Sequence, residues 1–201
     1  MADGDEHRTD EELLTAHIEG DIGAFPELIE RYRNDVFHFL IRFMGSRAAA
    51  EDVFQESFLQ IHISAETFDP TRRFKPWLFT IAANKGRDWH RKHSKRTMMS
   101  LSQDVGREGE GARFVDLLES DQELPDANLL ETEQADQVRA AVDALPSHLR
   151  EILLLSYFQQ MSYVQISESL QIPLGTVKSR LHSAVAAFSN SWKSAQSLEQ
   201  E

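Results

Sequence analysis

The sequence contains no cysteine, no long apolar run and little positive charge, and each absence excludes a class of protein. Without cysteine the chain forms no disulfide, no thiolate zinc site and no cysteine nucleophile. No stretch approaches the roughly 18 consecutive apolar residues that a membrane-spanning helix requires. The first residues, MADGDEHRTDEE, are polar and acidic, unlike a secretory signal peptide. We therefore expect a cytoplasmic protein that does not insert into a membrane.

Positive charge is scarce but concentrated in one segment. The 201 residues carry 21 Lys and Arg against 33 Asp and Glu, a net charge of -12. Residues 72–96 contain nine of these basic residues and a single acid, Asp88, so this segment carries +8 and the rest of the chain -20. A basic segment in an acidic chain predicts binding to a polyanion, although a charge run alone is equally typical of a solvated surface.

The first half of the chain shows helical periodicity. Thr9 followed by Glu12 has the capping-box pattern that starts a short helix. Pro26 suits the first turn of a longer helix, and Gly45 is a typical terminator for it. After a further helix and the turn-like segment FDPTRRFKP, the sequence predicts a helix over roughly residues 77–92.

The middle of the chain differs in composition from both ends. Residues 97–133 hold ten acids and two arginines with scattered glycines, which predicts a flexible acidic linker. Helical periodicity then resumes near residue 134, and no segment shows the two-residue alternation of a β-strand. Breaks between four short helices are predicted at residues 145–146, 160–162 and 171–173.

The predicted fold class is therefore all-α, with two small helical domains joined by a flexible linker. The predicted boundaries are 1–96 for the first domain, 97–133 for the linker, 134–190 for the second domain and 191–201 for a C-terminal tail. We assign no function to the tail, because its sequence carries no motif.

The segment SYVQISESLQIPLGTVKSRLHSAVAAF has the layout of a helix-turn-helix. Val164, Ile166 and Leu170 are expected to face inward on its first helix. On the second helix a core stripe leaves a polar face whose side chains suit base edges and phosphates. The stripe comprises Val177, Leu181, Ala184 and Phe188, and the polar face comprises Thr176, Lys178, Ser179, Arg180, His182 and Ser183. A two-helix corner of an ordinary bundle is the alternative.

The longer stretch LPSHLREILLLSYFQQMSYVQISESLQIPLGTVKSRLHSA resembles region 4 of the extracytoplasmic-function group of sigma factors. The resemblance implies that the polar face of the second helix reads the minus-thirty-five promoter element and that this domain docks on the β flap of RNA polymerase. The sequence departs from the family after this string, where SAVAA replaces the usual run of Lys and Arg. Fewer phosphate contacts predict weaker and less salt-dependent DNA binding by this domain alone.

The segment AEDVFQESFLQIH resembles region 2.2 of the same family. Phe54, Phe58 and Ile61 form a core face, and a polar stripe lies opposite. The resemblance implies that this stripe docks on the coiled-coil clamp helices of the β′ subunit, whereas on its own it is more typical of a solvated helix face. The stripe comprises Asp52, Gln55, Glu56 and Leu59.

The segment FDPTRRFKPWLFTIAANKGRDWHRKHSKR resembles regions 2.3 and 2.4. The resemblance implies that the loop over residues 69–76 holds an unstacked base of the minus-ten element and that the following helix contacts the same DNA. Basic side chains neutralise phosphates, while Asn84 and Asp88 suit base edges. The predicted contact residues are Arg72, Arg73, Phe74, Lys75, Asn84, Arg87, Asp88, Arg91 and Lys92.

Two further features of this segment have alternative interpretations. Trp77 is compatible with stacking on a base, but we predict that it belongs to the core. His90 and His93 have the spacing of a metal-binding pair, yet only Asp88 accompanies them, so we expect no metal and no cofactor.

The resemblance covers residues 11–96 and 134–190 and implies an alternative sigma factor. Such a protein recruits core RNA polymerase to promoters and assists DNA melting without being an enzyme; the family also leaves an anti-sigma partner open. A conventional helix-turn-helix regulator is the second hypothesis, but the strongest basic segment lies outside its helix-turn-helix. An enzyme acting on nucleic acid is the third, but the sequence shows no glycine-rich phosphate loop and no nucleophile–base arrangement.

Overall fold

The computed structural model describes residues 8–101 and 137–198, and all regular structure in these ranges is helical, as predicted. The N-terminal half (residues 8–101) contains α1 (Asp10–Ile18), α2 (Ala24–Met44), α3 (Arg47–Ser64), a 3-10 turn (Ala65–Thr67) and α4 (Phe74–Leu101). The C-terminal half (residues 137–198) contains α5 (residues 137–143), α6 (Ser147–Leu153) continuing as a π-helical turn (Leu154–Phe158), α7 (Tyr163–Leu170) and α8 (Leu174–Leu198). None of the helices in these two ranges is long and apolar enough to cross a bilayer.

Local sequence signals set the ends of the first helices. The Thr9 hydroxyl accepts a hydrogen bond from the Glu12 amide, and the Glu12 carboxylate accepts one from the Thr9 amide at 2.7 Å, which confirms the capping box. Gly45 ends α2 with a φ of 67°, a left-handed conformation that glycine adopts without steric cost. Ser46 then caps α3 by accepting a hydrogen bond from the Ala49 amide.

Helix α4 is longer than predicted at both ends. It begins at Phe74, whose amide donates a hydrogen bond of 2.9 Å to the Glu11 carboxylate on α1. A carboxylate at a helix N-terminus also interacts favourably with the helix dipole. The helix runs to Leu101, past the predicted boundary at residue 96, and the rest of the predicted linker lies outside the described residues.

Aromatic side chains from α2 and α4 form the centre of the N-terminal core. Phe39, Phe43 and Phe79 are fully buried, and the rings of Phe39 and Phe79 meet edge to face at 5.4 Å between centroids. At Gly86 on α4, an added Cβ would lie 2.7 Å from the Phe43 ring. The absence of a side chain at this position therefore allows α4 to pack closely on α2.

The core of the C-terminal half follows the predicted stripe on α8. Val177, Leu181 and Ala184 are buried, and Phe188 packs against them while partly exposed. The prediction for Val164 is wrong, since its side chain is 56% exposed at the start of α7. Successive residues of an α-helix are about 100° apart, so Val164 cannot share the inward face of Ile166, two positions further on.

The breaks between the C-terminal helices fall where the sequence predicts them. Two of these breaks contain a residue other than glycine in the left-handed region, Gln160 with a φ of 51° and Gln171 with a φ of 53°. The final helix is not short, because α8 continues to Leu198, through most of the segment predicted as a tail.

The two halves pack against each other, which the sequence did not predict. Helix α4 lies along α7, and α2 lies against the π-helical turn. The Ser169 hydroxyl on α7 donates a hydrogen bond of 2.9 Å to the Pro76 carbonyl, and the Gln159 side-chain amide donates one of 3.2 Å to the Asp35 carbonyl. This arrangement determines how the candidate binding surfaces lie relative to each other.

Candidate nucleic-acid and polymerase-binding surfaces

The acidic stripe of α3 lies on the surface. Val53, Ser57 and Ile61 are buried beneath it, and the Ser57 hydroxyl donates to the Val53 carbonyl at 2.6 Å. Ile63 lies one turn after Leu59 and is 66% exposed, so it extends the apolar end of the stripe. The sequence pattern did not identify Ile63 as part of this surface. All four predicted side chains are exposed, namely Asp52, Gln55, Glu56 and Leu59.

Asp69, the first residue of the loop before α4, stabilises a turn of that loop through hydrogen bonds. The Asp69 carboxylate accepts hydrogen bonds from the hydroxyl of Thr71 at 2.7 Å and from its amide at 3.0 Å. These bonds, the hydroxyl first and then the amide, lower the pKa of Asp69. Arg72 and Arg73 are exposed on this loop, so both guanidinium groups are presented to solvent by a fixed backbone turn.

Phe74 does not belong to the DNA-contacting set in this structure. It is 1% exposed, and its ring centroid lies 5.5 Å from that of Tyr32 and 6.0 Å from that of Trp77. Its backbone starts α4, which turns the side chain into the aromatic core rather than toward a base. Trp77 is half-buried in the same cluster, 5.0 Å from Phe68 between ring centroids, as predicted for a core residue.

The next basic side chain, Lys75, lies between the surface and the core. Its ammonium group is 3.8 Å from the Asp35 carboxylate on α2 and 5.8 Å from the centroid of the Phe79 ring. Lys75 is half-buried, so its stem packs on apolar surface while its charge stays near the edge of the loop.

The exposed face of α4 carries paired polar groups. Arg87 donates a hydrogen bond to the side-chain amide oxygen of Asn84, and Arg91 forms an ion pair of 2.9 Å with Asp88. The Arg91–Asp88 pair is exposed to solvent, and pairs of this kind contribute little stability, so a phosphate competes for Arg91 at small cost. Asn84, Arg91 and Lys92 are exposed, whereas Arg87 and Asp88 are half-buried.

Each of the two histidines on α4 has a ring nitrogen within hydrogen-bonding distance of a backbone carbonyl. His90 Nε2 lies 3.1 Å from the Phe43 carbonyl, and His93 Nδ1 lies 3.0 Å from the Trp89 carbonyl. Burial lowers the pKa of His90, and Arg150 lowers it further, against the opposing hydrogen bond to Phe43. The His90 ring therefore helps to fix α4 to α2, whereas the His93 contact lies within α4.

The polar face of α8 is presented as predicted. Its buried stripe faces the C-terminal core, and the Ser179 hydroxyl donates a hydrogen bond of 3.1 Å to the Thr176 carbonyl. The hydroxyl of Ser179 thus retains its lone pairs as acceptors. Of the six predicted residues, Lys178, Ser179, His182 and Ser183 are exposed, and Thr176 and Arg180 are half-buried.

Glu151 on α6 lies between the two basic surfaces, and no motif in the sequence marks it. Its side chain is 3% exposed, and one carboxylate oxygen is 3.5 Å from the Arg87 guanidinium. Burial raises the pKa of Glu151 to about 7, while the charges of Arg87 and Arg180 act in the opposite direction. The buried Oε1 atom accepts no hydrogen bond within the part of the chain that the structure describes.

Replacing Glu151 with Gln is expected to stabilise the protein at alkaline pH. Because burial raises the pKa of Glu151 to about 7, the folded state binds a proton more tightly than the unfolded state. The associated stability is present at acid pH and is lost as the pH rises through 7. At pH 8 we expect Glu151→Gln to raise the free energy of unfolding by up to about 3 kcal/mol, and at pH 4.5 to change it little.

Urea unfolding of both proteins between pH 4.5 and 8 measures this effect. The difference between them isolates Glu151 from the eight histidines of the chain. Glu168→Gln, which alters an exposed carboxylate on α7, serves as the matched control. A difference that is constant across the pH range would contradict the assignment.

An apolar groove of about 310 Å³ lies between α5, α6 and α8. Phe158 lies at the edge of this groove, and the Arg42 guanidinium of α2 is 4.6 Å from the centroid of its ring. The lining residues are Val138, Val142, Leu153, Tyr157, Phe158, Val185 and Phe188.

Comparison with known proteins matches both halves of the chain in order. The model of sigma-70 region 2 matches residues 28–96, and that of sigma-70 region 4 matches residues 135–188. The ECF RNA polymerase sigma factor SigW of Bacillus subtilis is 31% identical over 163 residues, which cover 81% of this chain and 86% of that protein. The ECF RNA polymerase sigma-E factor of Haemophilus influenzae is 31% identical over 187 residues, covering 92% and 96%.

Solved structures share the fold. The sigma factor RpoE of Bartonella quintana, in complex with the anti-sigma factor NepR, has a TM-score of 0.67 at 19% identity and covers 86% of this chain and 98% of its own. CnrH, in complex with the cytosolic domain of CnrY, has a TM-score of 0.64 at 22% identity, covering 90% and 95%. With both regions matched and relatives aligned over most of their length, the chain belongs to the extracytoplasmic-function group of the sigma-70 family and directs RNA polymerase to promoters for transcription initiation.

Proposed function

We propose that three separate surfaces of the chain have different binding roles in transcription initiation. The α3 stripe docks on the β′ clamp helices, the loop before α4 together with α4 holds the minus-ten element, and the polar face of α8 reads the minus-thirty-five element. The observation that carries this proposal is the presentation of one acidic and two basic exposed surfaces on different helices of one chain. The protein performs no covalent chemistry and acts in the cytoplasm, where its polymerase partner works.

The α3 surface suits a basic helical partner. Asp52 and Glu56 supply negative charge one turn apart, and Leu59 and Ile63 supply apolar area at the end of the stripe. An interface of this composition combines steering by complementary charge with burial of apolar side chains. We therefore assign core polymerase binding to this stripe.

The loop and α4 suit a melted strand. Arg72 and Arg73 project from a fixed turn. Asn84 and Arg91 add further exposed polar and basic groups along α4. Holding one unstacked base costs a few kcal/mol, and contacts to the flanking phosphates offset it. Because Phe74 is buried, the arginines and Lys75 carry this contact without an aromatic platform at that position.

The α8 surface suits duplex DNA. A recognition helix inserts its N-terminal turns into the major groove, and these turns carry Lys178, Ser179 and His182 in exposed positions. Exposed Ala186, which follows these turns, adds no charge where the family usually carries Lys and Arg. Tethering through polymerase raises the effective concentration of α8 near the DNA, so that a weak contact is enough to bind the minus-thirty-five element.

The apolar groove beside α8 is the surface that we assign to the β flap. Its lining is almost entirely apolar, which suits the hydrophobic face of a partner helix. RpoE of Bartonella quintana is bound to an anti-sigma factor, and we infer that a regulator of that class would compete for the same surfaces. The acidic segment 97–133 would pass through the RNA-exit or template-strand region of the polymerase, where its charge mimics nucleic acid.

Site-specific photo-crosslinking in a complex of core polymerase, chain and promoter DNA tests the three assignments together. A crosslinking amino acid in place of Leu59 is expected to join β′, in place of Arg73 the non-template strand near minus ten, and in place of Ser183 the duplex near minus thirty-five. The same amino acid in place of Glu30, exposed on α2, serves as the control. Adducts of Ser183 with β′, or of Leu59 with DNA, would overturn the assignments.

A further inference from the structure

Two histidines from different helices meet at the end of the α3 stripe. His17 lies in the last turn of α1 and His62 in the last turn of α3, and His17 Nε2 is 3.0 Å from His62 Nδ1. Helix α1 packs mainly on α2 and on the 3-10 turn, so this contact is a direct polar link between α1 and α3. The proposed function uses neither imidazole.

Phe25, at the start of α2, holds both imidazole rings in place. Its ring is stacked on that of His17, with 4.7 Å between the centroids and 25° between the planes, and its centroid is 5.5 Å from that of His62. Phe25 also meets the buried Phe58 edge to face at 6.5 Å. Side chains that are already held by packing lose little conformational freedom when they bind a ligand. His17 is half-buried and His62 is exposed, so an ion from solvent reaches both rings.

The separation of the two ring nitrogens fits a transition-metal ion. Imidazole nitrogens bind Zn²⁺ at about 2.0–2.1 Å, so two of them on one ion lie about 2.9 Å apart at a right angle and about 3.3 Å apart in a tetrahedral site. The 3.0 Å between His17 Nε2 and His62 Nδ1 lies within this range. Ligation requires a lone pair on each of these two atoms, and each ring has a second nitrogen that can carry the proton. Rotation of the exposed His62 ring then directs both lone pairs at one ion.

The surroundings of the pair favour a cation that prefers nitrogen ligands. Both histidines lie at helix C-termini, where the helix dipole places partial negative charge. In the part of the chain that the structure describes, no group of three or more His, Cys, Asp or Glu is placed to hold a metal ion, so we assign the remaining coordination positions to water. Imidazole suits Zn²⁺, Ni²⁺ and Cu²⁺, whereas Mg²⁺ and Ca²⁺ prefer oxygen ligands.

We propose that His17 and His62 form a binding site for a divalent transition-metal ion, which joins the end of α1 to the end of α3. The match to sigma-70 region 2 begins at residue 28, so His17 precedes it and the pair is not contained in the matched region. The ion bridges this preceding helix to the helix that carries the core-polymerase stripe. The site requires neither polymerase nor DNA, so its test is independent of the proposed function.

Chemical modification of the full-length wild-type chain tests the site without any variant. Diethylpyrocarbonate acylates accessible imidazole nitrogens, and mass spectrometry of the digested chain reports the modification at each histidine. We expect Zn²⁺ at ten times its dissociation constant to slow modification of His17 and His62 together by about tenfold, and Mg²⁺ to leave both rates unchanged. His148, exposed on α6, serves as the control and is expected to react equally with and without Zn²⁺. Protection of only one member of the pair, or equal protection of His148, would overturn the site.

Calorimetric titration of full-length variants with Zn²⁺ gives a second measurement. His17→Gln and His62→Gln each remove one ligand and are expected to lower the affinity for Zn²⁺ at least about tenfold, since losing a group that merely orients a metal ligand already costs about 10–100-fold. His148→Gln is expected to retain the wild-type affinity. His62→Gln alters an exposed side chain, so this comparison remains valid even if His17→Gln does not fold. A His62→Gln chain that binds Zn²⁺ as tightly as wild type would refute the proposal.

Discussion

Reversing the charge of the α3 stripe is expected to lower affinity for core polymerase by about 100-fold. The change is Asp52→Lys together with Glu56→Lys, which places two cations on the surface assigned to basic clamp helices. Like charges brought together at an interface cost several kcal/mol, and about 2.7 kcal/mol corresponds to a 100-fold change in Kd. Fluorescence anisotropy of the labelled chain, titrated with core polymerase, measures the effect.

A matched control for this variant is available in the same half of the chain. Glu30→Lys together with Glu66→Lys introduces the same charge change at two exposed carboxylates outside the stripe. The control is expected to bind core polymerase within about twofold of wild type, since screening removes most long-range effects at moderate salt. Equal weakening by both variants would show that net charge, and not the α3 surface, governs binding.

Removing two arginines of the minus-ten loop is expected to reduce open-complex formation by about 100-fold on duplex promoters. Arg72→Ala with Arg73→Ala deletes two charge-assisted contacts, each contributing about 1.5 kcal/mol at the low end for hydrogen bonds to charged groups. Both side chains are exposed and neither is needed for the core. Permanganate reactivity of unpaired thymines on the promoter measures melting directly.

A pre-melted promoter tests whether the loss occurs at melting. On a template with an unpaired minus-ten segment, unstacking is already achieved, so the variant is expected to recover to within about tenfold of wild type. Arg33→Ala with Arg47→Ala removes two exposed arginines elsewhere in the same half and is expected to behave as wild type. No loss on the duplex promoter would remove the loop from the proposed minus-ten surface.

Local signals in the sequence predicted much of this fold. The capping box at Thr9, the left-handed terminator at Gly45 and the core stripe ending at Phe188 each depend on residues within a few positions of one another. Such signals act through backbone geometry and helical spacing, so they are readable without knowledge of tertiary contacts. The exposed faces of α3 and α8 follow from the same spacing.

Val164 was mispredicted on helical spacing alone, whereas the other incorrect and missing predictions below concern tertiary contacts. Phe74 lies in a basic stretch of the sequence, which predicted that its ring contacts DNA. In the structure its amide is hydrogen-bonded to Glu11 and its ring packs against Tyr32, more than 40 positions away in the chain. Glu151 and Ser169 carry no motif, and their roles arise because α6 and α7 pack against the N-terminal half. Sequence periodicity reports which face of a helix is buried, but not which partner covers it.

Transcription by core RNA polymerase that lacks any sigma factor measures directly whether this chain initiates transcription. The chain is added to core with a library of genomic promoters, and a variant with Asp52, Gln55 and Glu56 replaced together by Ala is tested in parallel. We expect discrete initiation at a defined set of promoters with the wild-type chain and its loss with the variant. Binding to duplex promoters without core, combined with no initiation when core is present, would contradict this expectation.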